Sequence, residues 1–381
     1  RLQSSNEPNT SAPKTPSKFQ FGFKALALAD ISFVLNTPQF QHQLQLTNAN
    51  FENLYQWAPN QLSQVAVKGH FNDAPIAISS ASSPLSDNRK TQLNLALKSF
   101  PLTSITRPFV ENLSATVDAD INIDFKAQGP TFIIEHSGQF KLEAFKWHTD
   151  QQKIALQNLH WQGAGELSIN LDGQSQIEGE GEIALQNFEL ATNTGPSLKV
   201  EALNWHGPMA ATFNKQVISK FSIAEQLRIS NLHLKSPVAL SIANIVVKPG
   251  KEHLQVDFSE SAINSIRSSN TTQINKLLFS QKDTKVQLAS LSTHRSAPLS
   301  LHFTKGQLNT ITDASQVHLS EISLKQGNTS LNANSLSFNG PLSIKNINQS
   351  PLISSQFNSK TTTLRVKQDN LAVSAENIEL A

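Results

Sequence analysis

Ile154-Ala-Leu156-Gln-Asn-Leu159-His-Trp161 is the stretch whose reading decides the fold. It opens as an alternating strand, with Ile154 and Leu156 on one face. Two polar residues follow, and the apolar phase then moves from even to odd positions at Leu159 and Trp161. Strand side chains alternate with a period of two, so a regular strand would send Leu159 and Trp161 to the wet face. One extra residue at Gln157–Asn158 returns them to the dry face, as a β-bulge does, and a bulge also bends its strand. Upstream, Val117-Asp-Ala-Asp-Ile-Asn-Ile-Asp-Phe125 alternates without interruption. Val117, Ala119, Ile121, Ile123 and Phe125 share one face, and Asp118, Asp120, Asn122 and Asp124 share the other. That is a half-buried strand with one wet face.

The shifted pattern, apolar-x-x-apolar-x-apolar, recurs along the chain. One series runs Leu97–Leu102, Leu142–Trp147, Leu185–Leu190, Ile229–Leu234, Ile274–Phe279 and Leu319–Leu324, with steps of 43–45 residues. A second runs Leu156–Trp161, Val200–Trp205, Ile242–Val247, Ala333–Phe338 and Ala375–Leu380, with a degraded copy at Leu288–Thr293. A third is plainly alternating and starts at Leu167, Met209, Leu254, Leu299 and Leu342. Three combs in phase imply a repeat of about 44 residues, read here as three or four strands of roughly 11 residues each. Bulges at matching places in neighbouring strands curve the sheet about its long axis. The fold expected is all-β: a long curled antiparallel β-sheet, a repeating β-groove, apolar inside and rich in Asn, Gln, Ser and Lys outside, with very little helix. Thr103–Leu113 and Asn53–Leu62, each interrupted by proline, are the two places for a short helix or turn.

Composition agrees. Hydrophobic residues are 38% of the 381, below the roughly 45–50% of a typical globular chain. A sheet with one face in water needs no more. With 31 basic and 29 acidic residues the net charge is +2, which excludes a strongly electropositive nucleic-acid binder. The absence of cysteine excludes thiolate metal sites, a cysteine nucleophile and a disulfide framework. No apolar run reaches the length of about 18 residues that a membrane helix needs, and no stretch of this sequence reads as a signal peptide. The chain opens on Arg1 and reads as a piece of a longer protein. Residues 1–18, RLQSSNEPNTSAPKTPSK, hold too little apolar surface to offset ordering entropy and read as a disordered linker.

Asp118-x-Asp120-x-Asn122-x-Asp124 spaces oxygens as a calcium loop does, but Ile123 stands where the turn glycine belongs and Gly129 where the bidentate glutamate belongs. A solvated strand face explains the run. His148, His160 and His206 adjoin Trp147, Trp161 and Trp205 at wet-face positions and lack metal-ligand spacing. Gly179-Glu-Gly181-Glu-Ile-Ala184 is a dinucleotide-fingerprint fragment with no helix after it. There is no nucleophile elbow and no P-loop. The expectation is a non-enzymatic protein with no catalytic residue, metal or cofactor.

A one-sided apolar sheet must bury that side. A membrane barrel would want aromatic girdles, and one Tyr and four Trp do not supply them. A solenoid of short coils fits the combs poorly. A second sheet or a non-protein ligand remains. The expected floor of a lipid-binding groove is Phe145, Trp147, Leu159, Trp161, Phe188, Leu190, Leu203, Trp205, Leu232, Leu234, Leu277, Phe279, Ile322, Leu324, Leu336 and Phe338. The rival expectation is a structural or adhesive β-repeat scaffold with a dry protein core.

Residues 23–54 (FKALALADISFVLNTPQFQHQLQLTNANFENL), 65–85 (VAVKGHFNDAPIAISSASSPL) and 91–109 (TQLNLALKSFPLTSITRPF) resemble the core of large AsmA-like bacterial envelope proteins, the TamB-related family. ALQNLHWQGAGELSI, EIALQNFELAT and LKVEALNWHG resemble that family's downstream β-repeats. The resemblance implies an AsmA-like β module over 19–130 and a repetitive β-groove segment over 131–381. It also implies a periplasmic, bridge-like lipid-transfer role, with phospholipid acyl chains in the groove. An inner-membrane anchor outside this sequence and an outer-membrane partner would complete the bridge.

Overall fold

Over residues 217–281 a 44-residue repeat holds about four short strands, as expected, but over 131–214 and 284–345 it is one hairpin of two long strands. The reason is local: the shifted motif lies inside a strand and does not end it, because ladder pairing resumes on both sides of the extra residue. The computed structural model describes residues 21–380 apart from 37–40, 84–85, 87–88, 108, 194, 225, 237, 260–261, 349 and 357. The linker reading of residues 1–18 lies outside the described residues.

The strands, in chain order, are β1 (Gly22–Asn36), β2 (Gln41–Tyr55), β3 (Ser63–Phe71), β4 (Ala74–Ser82), β5 (Lys90–Pro101), β6 (Leu113–Gln128), β7 (Thr131–His148), β8 (Gln152–Asn170), β9 (Gln174–Thr192), β10 (Ser197–Asn214) and β11 (Val217–Ile223). They continue as β12 (Gln226–Lys235), β13 (Ala239–Lys248), β14 (Leu254–Ser259), β15 (Ala262–Ser268), β16 (Thr271–Gln281), β17 (Thr284–Thr304), β18 (Gln307–Gln326), β19 (Thr329–Lys345), β20 (Leu352–Ser355), β21 (Asn358–Gln368) and β22 (Leu371–Leu380). Among the described residues the helix is α1 (Leu102–Thr106), which begins one residue before the first expected helical stretch and overlaps its start. Residues 56–62 in the second form turns. Strand makes up 83% of the structure, so among the described residues no helical layer covers either face.

All strands belong to one antiparallel sheet, and each long strand pairs with the next in sequence. From β1 to β10 the pairing is sequential. β10 then faces β12 along its first part and β11 along its second. β13 and β14 follow in the next place, and β15 and β16 in the one after. β17 spans both again and leads through β18 and β19 to β21 and β22, with β20 beside the end of β19. At about 4.8 Å per strand place, the sheet extends on the order of 80 Å.

The extra residue of the first comb is visible in the backbone. The third residue of every motif has positive φ: Ser99 (47°), Ala144 (50°), Asn187 (50°), Asn231 (48°), Lys276 (52°) and Glu321 (49°). The expected two-against-one bulge is not what forms across β7–β10. Leu142 faces Leu159 and Phe145 faces Leu156 in one unbroken register, and Phe188 faces Val200 while Gln186 faces Ala202. Both partners carry an extra residue at the same level, so the offsets cancel and a transverse row of kinks results. Polar side chains close this row on the outer face. The Asn158 amide donates to Gln186 Oε1 at 3.1 Å, Asn187 donates to Gln157, Asn231 to Glu201, and the Ser290 and Ser320 hydroxyls meet at 2.7 Å.

A second transverse line runs about six residues away along the strands. In β7–β10 it is a row of glycines in register: Gly138, Gly163, Gly181 and Gly207. A β-carbon on Gly163 would lie 2.6 Å from the Glu180 carbonyl oxygen, and one on Gly181 2.8 Å from that of Gln162. Neighbouring backbone therefore closes toward the apolar face here, and that face is the inside of the bend. Farther along, the same line is where β11 gives way to β12, β13 to β14 and β15 to β16.

Candidate functional site

The alternation within each strand and the register between strands assemble the apolar side chains into transverse rows. One row runs Trp147, Ile154, Leu190, Leu198, Leu234, Leu240, Phe279, Val286, Leu324 and Leu331, each facing the next. Beside it Phe145 faces Leu156, and Phe188, Val200, Leu232, Ile242, Leu277 and Leu288 form a continuous run, with Ile322 against Ala333. Past the kink line come Leu142, Leu159, Leu185, Leu203, Ile229, Ile245, Ile274, Leu291, Leu319 and Leu336. The last row before the glycine line holds Phe140, Trp161, Ile183, Trp205, Leu227, Val247, Thr272, Thr293, Val317 and Phe338. Every floor residue proposed from the sequence falls in one of these rows, on one face.

The rows hold residues the sequence reading left out. Leu142, Leu185, Ile229, Ile274 and Leu319 are the first apolar positions of five motifs of the first comb, the signal that could have found them, and Ile154 lies two residues before the motif Leu156–Trp161. Beyond the glycine line a further lane carries Ile134, Leu167, Ile177, Ala211, Phe221, Val256, Ile266, Leu301, Ile311 and Ile344 in register. It is built largely from the third, plainly alternating comb.

Among the described residues no second layer lies over this face. Among the described residues no large side chain is fully buried, and the floor residues are half-buried by their neighbours in the curved sheet. Trp205 departs from that, at 8% exposed. Its indole N–H donates to the Ala224 carbonyl at 3.0 Å, beside the break between β11 and β12. Trp161 lies over the glycine row, stacked on His136 at 5.6 Å and tilted against Phe140 at 6.0 Å. A β-carbon on Gly163 would lie 3.2 Å from Trp161 Cζ2. These two tryptophans therefore prop the second bend as well as line the floor.

The outer face is polar. His148, His160 and His206 alternate away from the apolar rows, as expected. Asp124, Glu135, Glu166 and Glu178 face one another in succession and line a shallow hollow with Asn122, Ser137 and Ala164. Lys126 bonds Glu135 at 2.7 Å. That hydrogen bond, opposed by slight desolvation and helped by the same carboxylate's charge, lifts the lysine above its ordinary pKa. Among the described residues no group of three or more His, Asp or Glu is arranged to hold a metal ion. No described helix is long and apolar enough to cross a membrane. No family model, curated protein or solved structure matches the chain.

Proposed function

We propose that this chain is a segment of a periplasmic lipid-transfer bridge, carrying phospholipid along its apolar face between inner and outer membranes. The observation that carries the reading is the set of aliphatic and aromatic rows continuing from strand to strand with no layer of the described residues over them. An acyl chain on such a floor removes apolar surface from water at about 0.8 kcal/mol per methylene. The rows make no demand for a particular residue at a particular place, which suits a flexible hydrocarbon and a passive path. Head groups would stay toward polar or open positions. The resemblance of residues 19–130 to AsmA-like proteins supports the same reading, and with it a membrane anchor outside this sequence, an outer-membrane partner and a non-enzymatic role.

The test is a charge on the floor. Leu203 and Leu234 stand in two different rows and are half-buried. In a dry protein core Leu203→Asp would bury an unpaired carboxylate at a cost of several kcal/mol. In an open groove the carboxylate reaches water, so Leu203→Asp and Leu234→Asp fold and fail to sustain lipid transfer in cells. Photo-crosslinkers at these two positions capture lipid, while those at Asn204 and His233 on the outer face do not. Equal capture from both faces, or unfolding by both substitutions, would favour a scaffold with a dry core.

A further inference from the structure

From β6 to β22, strand alternation places one pair of charged side chains on the apolar face: Arg295 of β17 and Asp313 of β18. Arg295 faces Ser315, and Ser315 faces Gly340, on the line that glycines occupy in β7–β10. Arg295 Nε stands 3.4 Å from Asp313 Oδ1, with side chains 13% and 23% exposed. An Arg295 Nη1 hydrogen bond goes to the Asn270 carbonyl. The Ser315 hydroxyl donates to the Asp313 carboxylate at 2.7 Å. Asn270 is 2% exposed, and neither its side-chain nitrogen Nδ2 nor its side-chain oxygen Oδ1 has a hydrogen-bond partner, nor does Arg295 Nε.

Such a cluster is costly on an apolar face. An ion pair taken from water pays desolvation that its mutual attraction barely repays, and apolar residues of similar size usually serve as well. Buried amide groups without partners add to the cost. β7–β10 make the same bend with glycine, so the bend itself does not demand charge.

We propose that Arg295, Asp313 and Asn270 form a head-group station in the groove, for an amphiphile whose polar part is a zwitterionic phosphate ester. The inference rests on the lipid-conduit reading and specifies the lipid. Guanidinium and amide N–H groups are the donors a phosphate oxygen takes. A cationic amine on the same head group matches Asp313. The pair is neutral overall, so a head group bearing net negative charge meets the Asp313 carboxylate without compensation. Apolar lanes lie on both sides of the station, where the acyl chains of a lipid held there find hydrocarbon.

The test compares lipids with identical acyl chains on the whole chain, by native mass spectrometry after exposure to mixed vesicles. The probes are dioleoyl-phosphatidylethanolamine, dioleoyl-phosphatidylglycerol and dioleoylglycerol. One retained charge-assisted hydrogen bond predicts roughly a tenfold preference for the ethanolamine lipid over dioleoylglycerol, and a smaller one over the glycerol phospholipid. The double variant Arg295→Met with Asp313→Leu removes both charges together, so neither is left buried alone. It should bind all three lipids to similar extents, with total bound lipid unchanged. Circular dichroism checks that it folds, and Asn270→Leu, which keeps the ion pair, should narrow the preference partway. Equal uptake of the three lipids by the unaltered chain would overturn the station and leave the conduit standing. Uptake of none would overturn the conduit. Soluble phosphoethanolamine competing as well as its lipid would overturn the assignment to an amphiphile.

Discussion

The second bend line is made in two ways in one sheet. In β7–β10 it is a row of four glycines, with the Trp161 ring laid over two of them, Gly163 and Gly181. Between β15 and β19 the same line carries Asn270, Arg295, Ser315 and Gly340, with an interrupted strand on one side and register shifts on the other. The first solution removes side chains so that backbones approach. The second interrupts the ladder and fills the gap with hydrogen-bonding groups. Glycine pays in unfolded-chain entropy, and the polar cluster pays in desolvation. The difference teaches that curvature in this sheet comes from backbone geometry, and that side-chain chemistry on the line is free to vary.

That contrast is broken most directly at the glycines. A β-carbon on Gly163 meets the Glu180 carbonyl at 2.6 Å and the Gly181 α-carbon at 3.0 Å. Both are backbone atoms, so relief requires the strands to part. Gly163→Ala and Gly181→Ala should each lower stability by about 3 kcal/mol, in the range of overpacking a tight site. Gly306 supplies the control: it sits in a turn at φ +75° with nothing within 4 Å of its would-be β-carbon. Gly306→Ala should cost about 1 kcal/mol, from backbone conformation alone. Denaturant midpoints for the three variants decide the matter. Equal losses at Gly163 and Gly306 would mean that the glycine row does not close the bend.

The phase shift in Ile154–Trp161 made the kink line legible, because an apolar residue out of step with its neighbours is visible in one strand. The combs made its alignment legible. The strand length was not, since the pattern that marks a kink also resembles a boundary between two short strands. The glycine line escaped for a different reason. Gly163, Gly165, Gly179 and Gly181 keep the inward parity of Trp161 and Leu167, so they interrupt no alternation, and only the register that stacks Gly163 against Gly181 reveals them. Arg295 and Asp313 were equally hidden. Charged residues in an alternating strand read as outward, and their inward placement depends on counting from the kinks at Ala289–Ser290 and Ser320–Glu321.

A smaller effect separates the kink line from the glycine line. The kinks tolerate many residues, because a left-handed backbone costs an ordinary side chain only about 1–2 kcal/mol. Ala144 holds φ +50° with no polar side chain to help, whereas Asn187 at the same φ donates to Gln157. Ala144→Gly should therefore raise stability by about 1 kcal/mol. Asn187→Gly should change it little, since asparagine accepts this conformation readily and its lost hydrogen bond offsets the gain. Paired denaturation curves test this, and destabilisation by Ala144→Gly would show that the kink depends on contacts made by the alanine methyl.

The smallest effect expected is at β22, which among the described residues pairs with β21 alone. Lys360 faces Glu379 across this pair and donates a hydrogen bond to its carboxylate. That bond, and then the lysine charge, hold the Glu379 carboxyl below its ordinary pKa. A carboxyl with a depressed folded-state pKa contributes stability that is fully present above its unfolded value and is lost as pH falls through the folded value. Both groups are well exposed, at 59% and 66%, so salt screens the pair and its contribution is slight. Hydrogen exchange at the β22 amides reads this locally. Protection of β22 relative to β21 should fall on acidification through the carboxylate range, and high salt at neutral pH should reduce it in the same direction. Lys360→Met should remove most of the acid sensitivity, whereas the β7–β10 amides, far from this pair, keep theirs unchanged. Acid sensitivity of β22 that survives Lys360→Met would assign it to carboxylates elsewhere on the strand, with Glu376 the nearest candidate.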